Sequence, residues 1–249
     1  MPDTLSALSW AETMCTVIIS LEPSSGVPLL LAGIRDELTA RPWQPPARHW
    51  PGSPLIGGRD EQAGGTWLAV HPGIPRVSCV LNGRGPLAGP EHRRSRGELP
   101  LLAAEGGAPG DLTAYDPFHL VTADMHAVSL LSWDGGQATH LDLQPGTHVI
   151  TNVGLDPNDP KAAYFAPRFA TRRPPAHLDM SISEAWEPWL TLIGGDGLPT
   201  SDPRAIRVSK QLPDGRLWGT TSISLVALSP AGIRYDFQPV PGSGVSVEI

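Results

Sequence analysis

Proline and glycine punctuate this chain from end to end, 28 and 27 of its 249 residues, so long uninterrupted helices are not available to it. Between the breakers lie short segments rich in β-branched residues, which read as strands and turns. With 40% hydrophobic residues, 17% charged residues and 8 tryptophans, these segments carry enough apolar surface for one packed domain.

The first such segment is 15–21, CTVIISL, followed by the turn chemistry of 22–28, EPSSGVP, and a second apolar run at 29–33. This is a hairpin signature. If the turn centres between Ser24 and Ser25, opposed residues sum to about 49, which sets Cys15 across from Ile34 and one residue from Arg35. Whether Arg35 or Asp36 shares the face of Cys15 is open at this level, because a slip of one residue exchanges them. Further strands are expected at 64–70, 76–81, 118–123, 127–133, 138–143, 148–152, 206–210, 219–228 and 232–239. Two helices stand out. Ser95 and Glu98 have the spacing of a capping box ahead of Leu99 to Ala104, with Gly106 and Gly107 as the stop. Ser181 and Glu184 cap 181–193, where Trp186, Trp189, Leu190 and Ile193 share one helical face and are expected in the core.

Composition excludes several functions. A net charge of -7 repels phosphate backbones and anionic membranes. The densest basic cluster, Arg93, Arg94 and Arg96, lies beside Glu91 and Glu98 and reads as a solvated turn or helix start rather than a nucleic-acid site. No apolar run has the 18 or so residues of a membrane span. The first fourteen residues carry Asp3 and Glu12 and no Lys or Arg, unlike a secretion or transit signal. Two cysteines are too few for a disulfide framework and fit a reducing, cytoplasmic setting. The eight histidines show no metal-ligand spacing, and no serine elbow, phosphate loop or dinucleotide fingerprint is present, so neither metal nor cofactor is expected.

Cys15 follows Met14. If translation starts at Met14, or if 1–14 is removed as a leader, Cys15 gains a free α-amine beside its thiol. An amine of pKa about 7.7–8.0 can then take the proton of a thiol of pKa about 8.5, giving nucleophile and base in one residue. A cysteine at a strand start serves equally as a small core residue. Arg35 and Asp36 are placed where they could tune the thiol and orient the amine, and an Arg-Asp-Glu run is also ordinary surface chemistry. Asn82, ending a strand before Gly83, could serve an oxyanion or simply make a turn, and Asn152 has the same two readings.

Met14-Cys15-Thr16-Val17-Ile18 resembles the Met-Cys start of the NRDE, or transport-and-Golgi-organisation, family, and Ile34-Arg35-Asp36-Glu37 resembles its Asn-Arg-Asp-Glu signature with Ile34 in place of the asparagine. Ala40-Arg41-Pro42, Gly64-Gly65-Thr66-Trp67-Leu68, Leu81-Asn82, Ser95-Arg96-Gly97 and 145–152 (PGTHVITN) extend the likeness in order, and 219–222 does so more weakly. The resemblance implies an α+β fold, a four-layer αββα sandwich of two antiparallel sheets similar to the N-terminal-nucleophile hydrolases, spanning 15–249 behind a leader or mis-assigned start at 1–14. It further implies Cys15 as nucleophile, with Arg35, Asp36, Asn82 and Asn152 assisting on a small-molecule amide or acyl substrate, by hydrolysis or acyl transfer. Its alternative is a non-catalytic carrier of haem or another apolar ligand.

Overall fold

The computed structural model describes residues 15–249, and the leader expected at 1–14 lies outside the described residues. Strands β1 (Thr16–Leu21) and β2 (Leu29–Leu38) form the expected hairpin, but their register runs from Thr16 opposite Ile34 to Leu21 opposite Leu29. Opposed residues thus sum to 50, not 49. The ladder, continued by one residue, sets Arg35 across from Cys15, and this corrects the placement of Ile34 there.

The remaining elements are β3 (Trp43–Ala47), β4 (Ile56–Asp60), β5 (Leu68–His71), β6 (Arg76–Asn82), α1 (Leu99–Ala104), β7 (Phe118–Asp124), β8 (Val128–Trp133), β9 (Ala138–Leu143), β10 (Gly146–Thr151), α2 (Pro160–Thr171), α3 (Ile182–Ile193), β11 (Ser209–Gln211), β12 (Leu217–Ser229), β13 (Gly232–Pro239) and β14 (Val245–Ser246). One sheet has the order β10-β1-β2-β12-β13-β14, with β11 also on β12, and the other is a meander from β3 to β9. Pairing between these strands is antiparallel throughout.

The two-residue period of the strands sorts their side chains into separate cores. Val17, Ile19, Leu29 and Leu31 of the first sheet meet Leu68, Val77, Cys79 and Val121 of the second between the sheets. Ile18, Leu30, Ala32 and Ile34 turn the other way, onto Phe165 and Phe169 of α2 and Trp186 and Trp189 of α3. The outer face of the meander packs Leu120, Phe118 and Trp133 against Leu99 and Ala103 of α1. The layers therefore run helix, sheet, sheet, helix, as expected. Because β1 is covered on both faces, all six of its residues are buried and it shows no polar alternation.

Both expected helices form. Ser181 and Glu184 make a complete capping box, and the two tryptophans of α3 are fully buried. Trp186 Nε1 donates to Asp236 Oδ2 at 2.7 Å, and the same carboxylate is held by Arg234 and by the Ser246 hydroxyl at 2.5 Å, so the buried charge that ties α3 to β13 is satisfied. Ser95 caps a short 3-10 turn at 96–98 by accepting from Gly97 N, while Glu98 turns to Arg94 and Tyr115 instead of closing a box. Among the described residues, no helix is long and apolar enough to cross a membrane.

Candidate active site

The end of β1 that carries Cys15 opens into a cavity of about 370 Å³ between the two sheets, lined in part by Cys15, Arg35, Asp36, Asn82, Trp67 and Arg96. Asp36 N donates to Cys15 Sγ at 3.4 Å, and the thiol lies 3.5 Å from Asp36 O, so the sulfur is pinned to the neighbouring strand by its backbone. Burial pushes the Cys15 thiol up to about 12; the Asp36 charge adds to this, and the Asp36 N–H and the Arg35 charge offset it only in part.

Arg35 and Asp36 turn to opposite faces of β2, as successive strand residues must. The register of β2 on β12 shifts between Thr220 and Ser222, leaving Thr221 as the extra residue of a bulge. That bulge serves both neighbours at once. Arg35 Nη1 donates to Thr221 Oγ1 at 2.9 Å, while Thr220 Oγ1 donates to Asp36 Oδ1 at 2.6 Å. The Arg35 guanidinium continues across to the second sheet, 3.2 Å from Asp60 Oδ2 and 4.7 Å from the centre of the Trp67 ring. Burial works against ionisation of Asp60, but the Arg41 hydrogen bond, the Ala63 N–H and the charges of Arg41 and Arg35 outweigh it and hold the carboxyl below its usual range. The Arg-Asp pair is thus no solvated surface cluster: Arg35 is 6% and Asp36 2% exposed.

On the helical side, Asp36 faces a lysine that the strand pattern gave no reason to notice. Lys161, 1% exposed, sits in the first turn of α2 and donates from Nζ to Thr16 Oγ1 at 3.1 Å. Asp159 fixes that turn by accepting from Lys161 N and Ala162 N, both at 3.0 Å, with Pro160 at the start of the helix. Burial raises the Asp36 carboxyl to about 7 against the charge of Lys161, the Thr220 hydrogen bond and the charges of Arg35 and Lys210. Burial likewise lowers Lys161, opposed by the charges of Asp36, Asp159 and Cys15. Asp36 Oδ2 remains buried without a hydrogen-bond partner.

The two asparagines differ. Asn82, at the end of β6, is exposed and lines the cavity. Asn152 is 5% exposed and does not line it; the ladder of β1 on β10, Thr16 opposite Thr151, continues to set Asn152 across from Cys15 on the side away from Arg35. Its Oδ1 is buried and unpartnered. His119 is pushed down by burial and partly restored by a hydrogen bond with the Asn152 backbone.

Arg96, expected from the sequence in a solvated turn or helix start, is instead half-buried and lines the cavity. Its turn is docked on the loop before β5, where Thr66 N donates to Gly97 O at 2.8 Å. Only glycine fits at this contact: a Cβ on Gly65 would lie 2.4 Å from the carbonyl carbon and oxygen of Gly97. Gly65→Ala should therefore cost about 2 kcal/mol or more through overpacking. Denaturant unfolding measures this, and a variant as stable as its parent would mean that the two turns do not meet.

Among the described residues no group of three or more His, Cys, Asp or Glu is arranged to hold a metal ion. Among the described residues no histidine lines the cavity, and Cys15 is the soft ligand there for a group such as haem.

A search of curated proteins gave no match. Among solved structures the chain is similar to a Caenorhabditis elegans N-acylethanolamine-hydrolyzing acid amidase ortholog, at a TM-score of 0.46 and 12% identity, over 85% of this chain and 92% of that one. The family model described as Transport and Golgi organisation 2 matches residues 14–174, well over half of the sequence, and the chain belongs to that family.

Proposed function

We propose that this protein is an amide- or acyl-hydrolysing enzyme whose nucleophile is Cys15 once it stands as the N-terminal residue. The observation that carries this is the strand-end constellation: a cavity-lining thiol on the face of Arg35, next to a buried Asp36 carboxyl with one oxygen unpartnered. Within an uncleaved chain the thiol, pushed up to about 12 by burial, stays protonated at neutral pH and is a poor nucleophile. A free α-amine at Cys15 changes this. It supplies a base beside the thiol, and as an ammonium it is a donor for the buried carboxylate of Asp36. The family match starting at residue 14 supports a functional start at this point.

In the proposed reaction the α-amine takes the thiol proton and the sulfur attacks the substrate carbonyl carbon. The resulting oxyanion is met by the Asn82 amide at the cavity wall. Collapse forms the thioester and expels the amine, which receives the proton. Water, activated by the same α-amine, then cleaves the thioester to release the acid; capture by a second amine instead gives acyl transfer. Arg35 stabilises the thiolate, and Asp36 orients the α-amine.

The test compares the full chain with one translated from Met14. Each is exposed to a β-lactone acylating probe and followed by N-terminal sequencing and intact mass. A single acyl adduct on Cys15, confined to molecules beginning at that residue, is the expected result. Cys15 unmodified in both preparations, with Met1 or Pro2 as the first residue of the full chain, would remove the basis for this function. A haem titration run alongside separates the carrier alternative, which requires a saturable Soret shift lost in Cys15→Ala.

A further inference from the structure

Among the described residues five arginines line the cavity, and four of them are already matched by carboxylates. Arg35 and Arg41 reach Asp60 at 3.2 and 2.6 Å, Arg93 reaches Asp116 at 3.2 Å, and Arg94 reaches Glu98 at 2.7 Å. Arg96 differs. Its one side-chain hydrogen bond among the described residues is from Nη1 to Pro117 O at 2.9 Å, and no carboxylate there lies within ion-pair distance. Asp116, the acid whose charge acts on it most, is already held by Arg93 and by Ala88 N at 3.0 Å. Arg96 is half-buried, yet Pro117 O occupies only one of its five N–H donors. Its backbone cannot retreat, because Ser95 fixes Gly97 N and the Gly65–Gly97 contact clamps the turn.

We propose that Arg96 binds the carboxylate of an anionic acyl substrate, positioning the scissile carbonyl at Cys15. A partly desolvated, rigidly mounted guanidinium with open donors is suited to a planar carboxylate, which it can grip through two parallel hydrogen bonds. Because Arg96 and Cys15 line one cavity of about 370 Å³, the substrate class that meets both is a small one with a carboxylate and an amide on the same chain, such as a dicarboxylic acid monoamide. The substrate class rests on the hydrolase function proposed above, whereas the anion site itself does not.

The experiment separates the two. Binding of succinate, glutarate and adipate to the full chain is measured by calorimetry, with glutaramide as the neutral control. At least one dicarboxylate should bind while glutaramide does not. Arg96→Gln should weaken that binding by about tenfold or more, the scale of one charge-assisted contact. Arg96→Lys should restore part of it, and Arg94→Gln should change it by less than about twofold, as for an exposed charge already paired. With the chain translated from Met14 and glutaryl p-nitroanilide as substrate, Arg96→Gln should raise KM by about tenfold and leave kcat within about threefold, which loss of structure alone would not do. If no dicarboxylate binds, or if Arg96→Gln binds as tightly as the parent, the anion site is wrong. If dicarboxylate binding tracks Arg96 but no p-nitroanilide is ever cleaved, the site stands and the hydrolase function falls.

Discussion

Replacing Cys15 by alanine should reduce acyl-hydrolysing activity by about 10³-fold or more, the usual consequence of deleting a covalent nucleophile. The folded state should stay within about 1 kcal/mol of the parent. The second expectation follows from position. Cys15 precedes β1, is only half-buried, and its sulfur makes long contacts with the Asp36 backbone at 3.4 and 3.5 Å. Cys79 gives the matching control from inside the same molecule. It is 2% exposed in the core between the sheets and opposite Leu68, so Cys79→Ala should cost about 1 kcal/mol and spare turnover. Steady-state rates and unfolding curves on the two variants give opposite patterns. Turnover in Cys15→Ala above about a tenth of the parent rate would show that the chemistry resides elsewhere.

The hairpin, the α3 capping box and the tryptophan pair were legible because each is a local pattern. The register was not, and the cause is physical. Residues 29–34 are apolar at every position since both faces of β2 are covered, so no alternation marks which way Cys15 and Arg35 point. Strand β3 was hidden by Pro45 and Pro46. It is the edge of its sheet, and its pairing with β4 slips between Gln44 and Ala47, where missing N–H groups are tolerated. Helix α2 was masked by Pro167 in its interior, although Asp159 followed by Pro160 is a helix start that reading could have used. With that helix went Lys161. Thr220, Thr221, Asp60 and Arg96 reach the site from distant segments, and although the family likeness runs through 95–97 and 219–222, no local pattern assigns these side chains to the site.

Lys161 carries the second large effect, and its sign depends on pH. The Asp36 carboxyl, moved from 3.8 to about 7 by burial, favours the protonated form in the folded state. Its contribution to stability is therefore fully present below 3.8 and is lost as pH rises through about 7. Above that point the buried carboxylate depends on the charges facing it: Lys161 first, then Arg35 and Lys210, with Thr220 as hydrogen-bond donor. Lys161→Met removes the largest of these charges and should cost about 3 kcal/mol at pH 8, the scale for stranding a buried ion. At pH 5 the same substitution should be neutral or stabilising, because Asp36 is then uncharged and the burial that lowers Lys161 is relieved. Asp36→Asn in the same chain should recover most of the loss at pH 8, since the amide oxygen can still accept from Thr220 and no charge is left unmatched. Urea unfolding of the four proteins at both pH values closes the cycle. An equal loss at pH 5 and pH 8 would mean that Lys161 acts by packing against Thr16 alone, and that Asp36 is not the group whose charge it holds in place beneath Cys15.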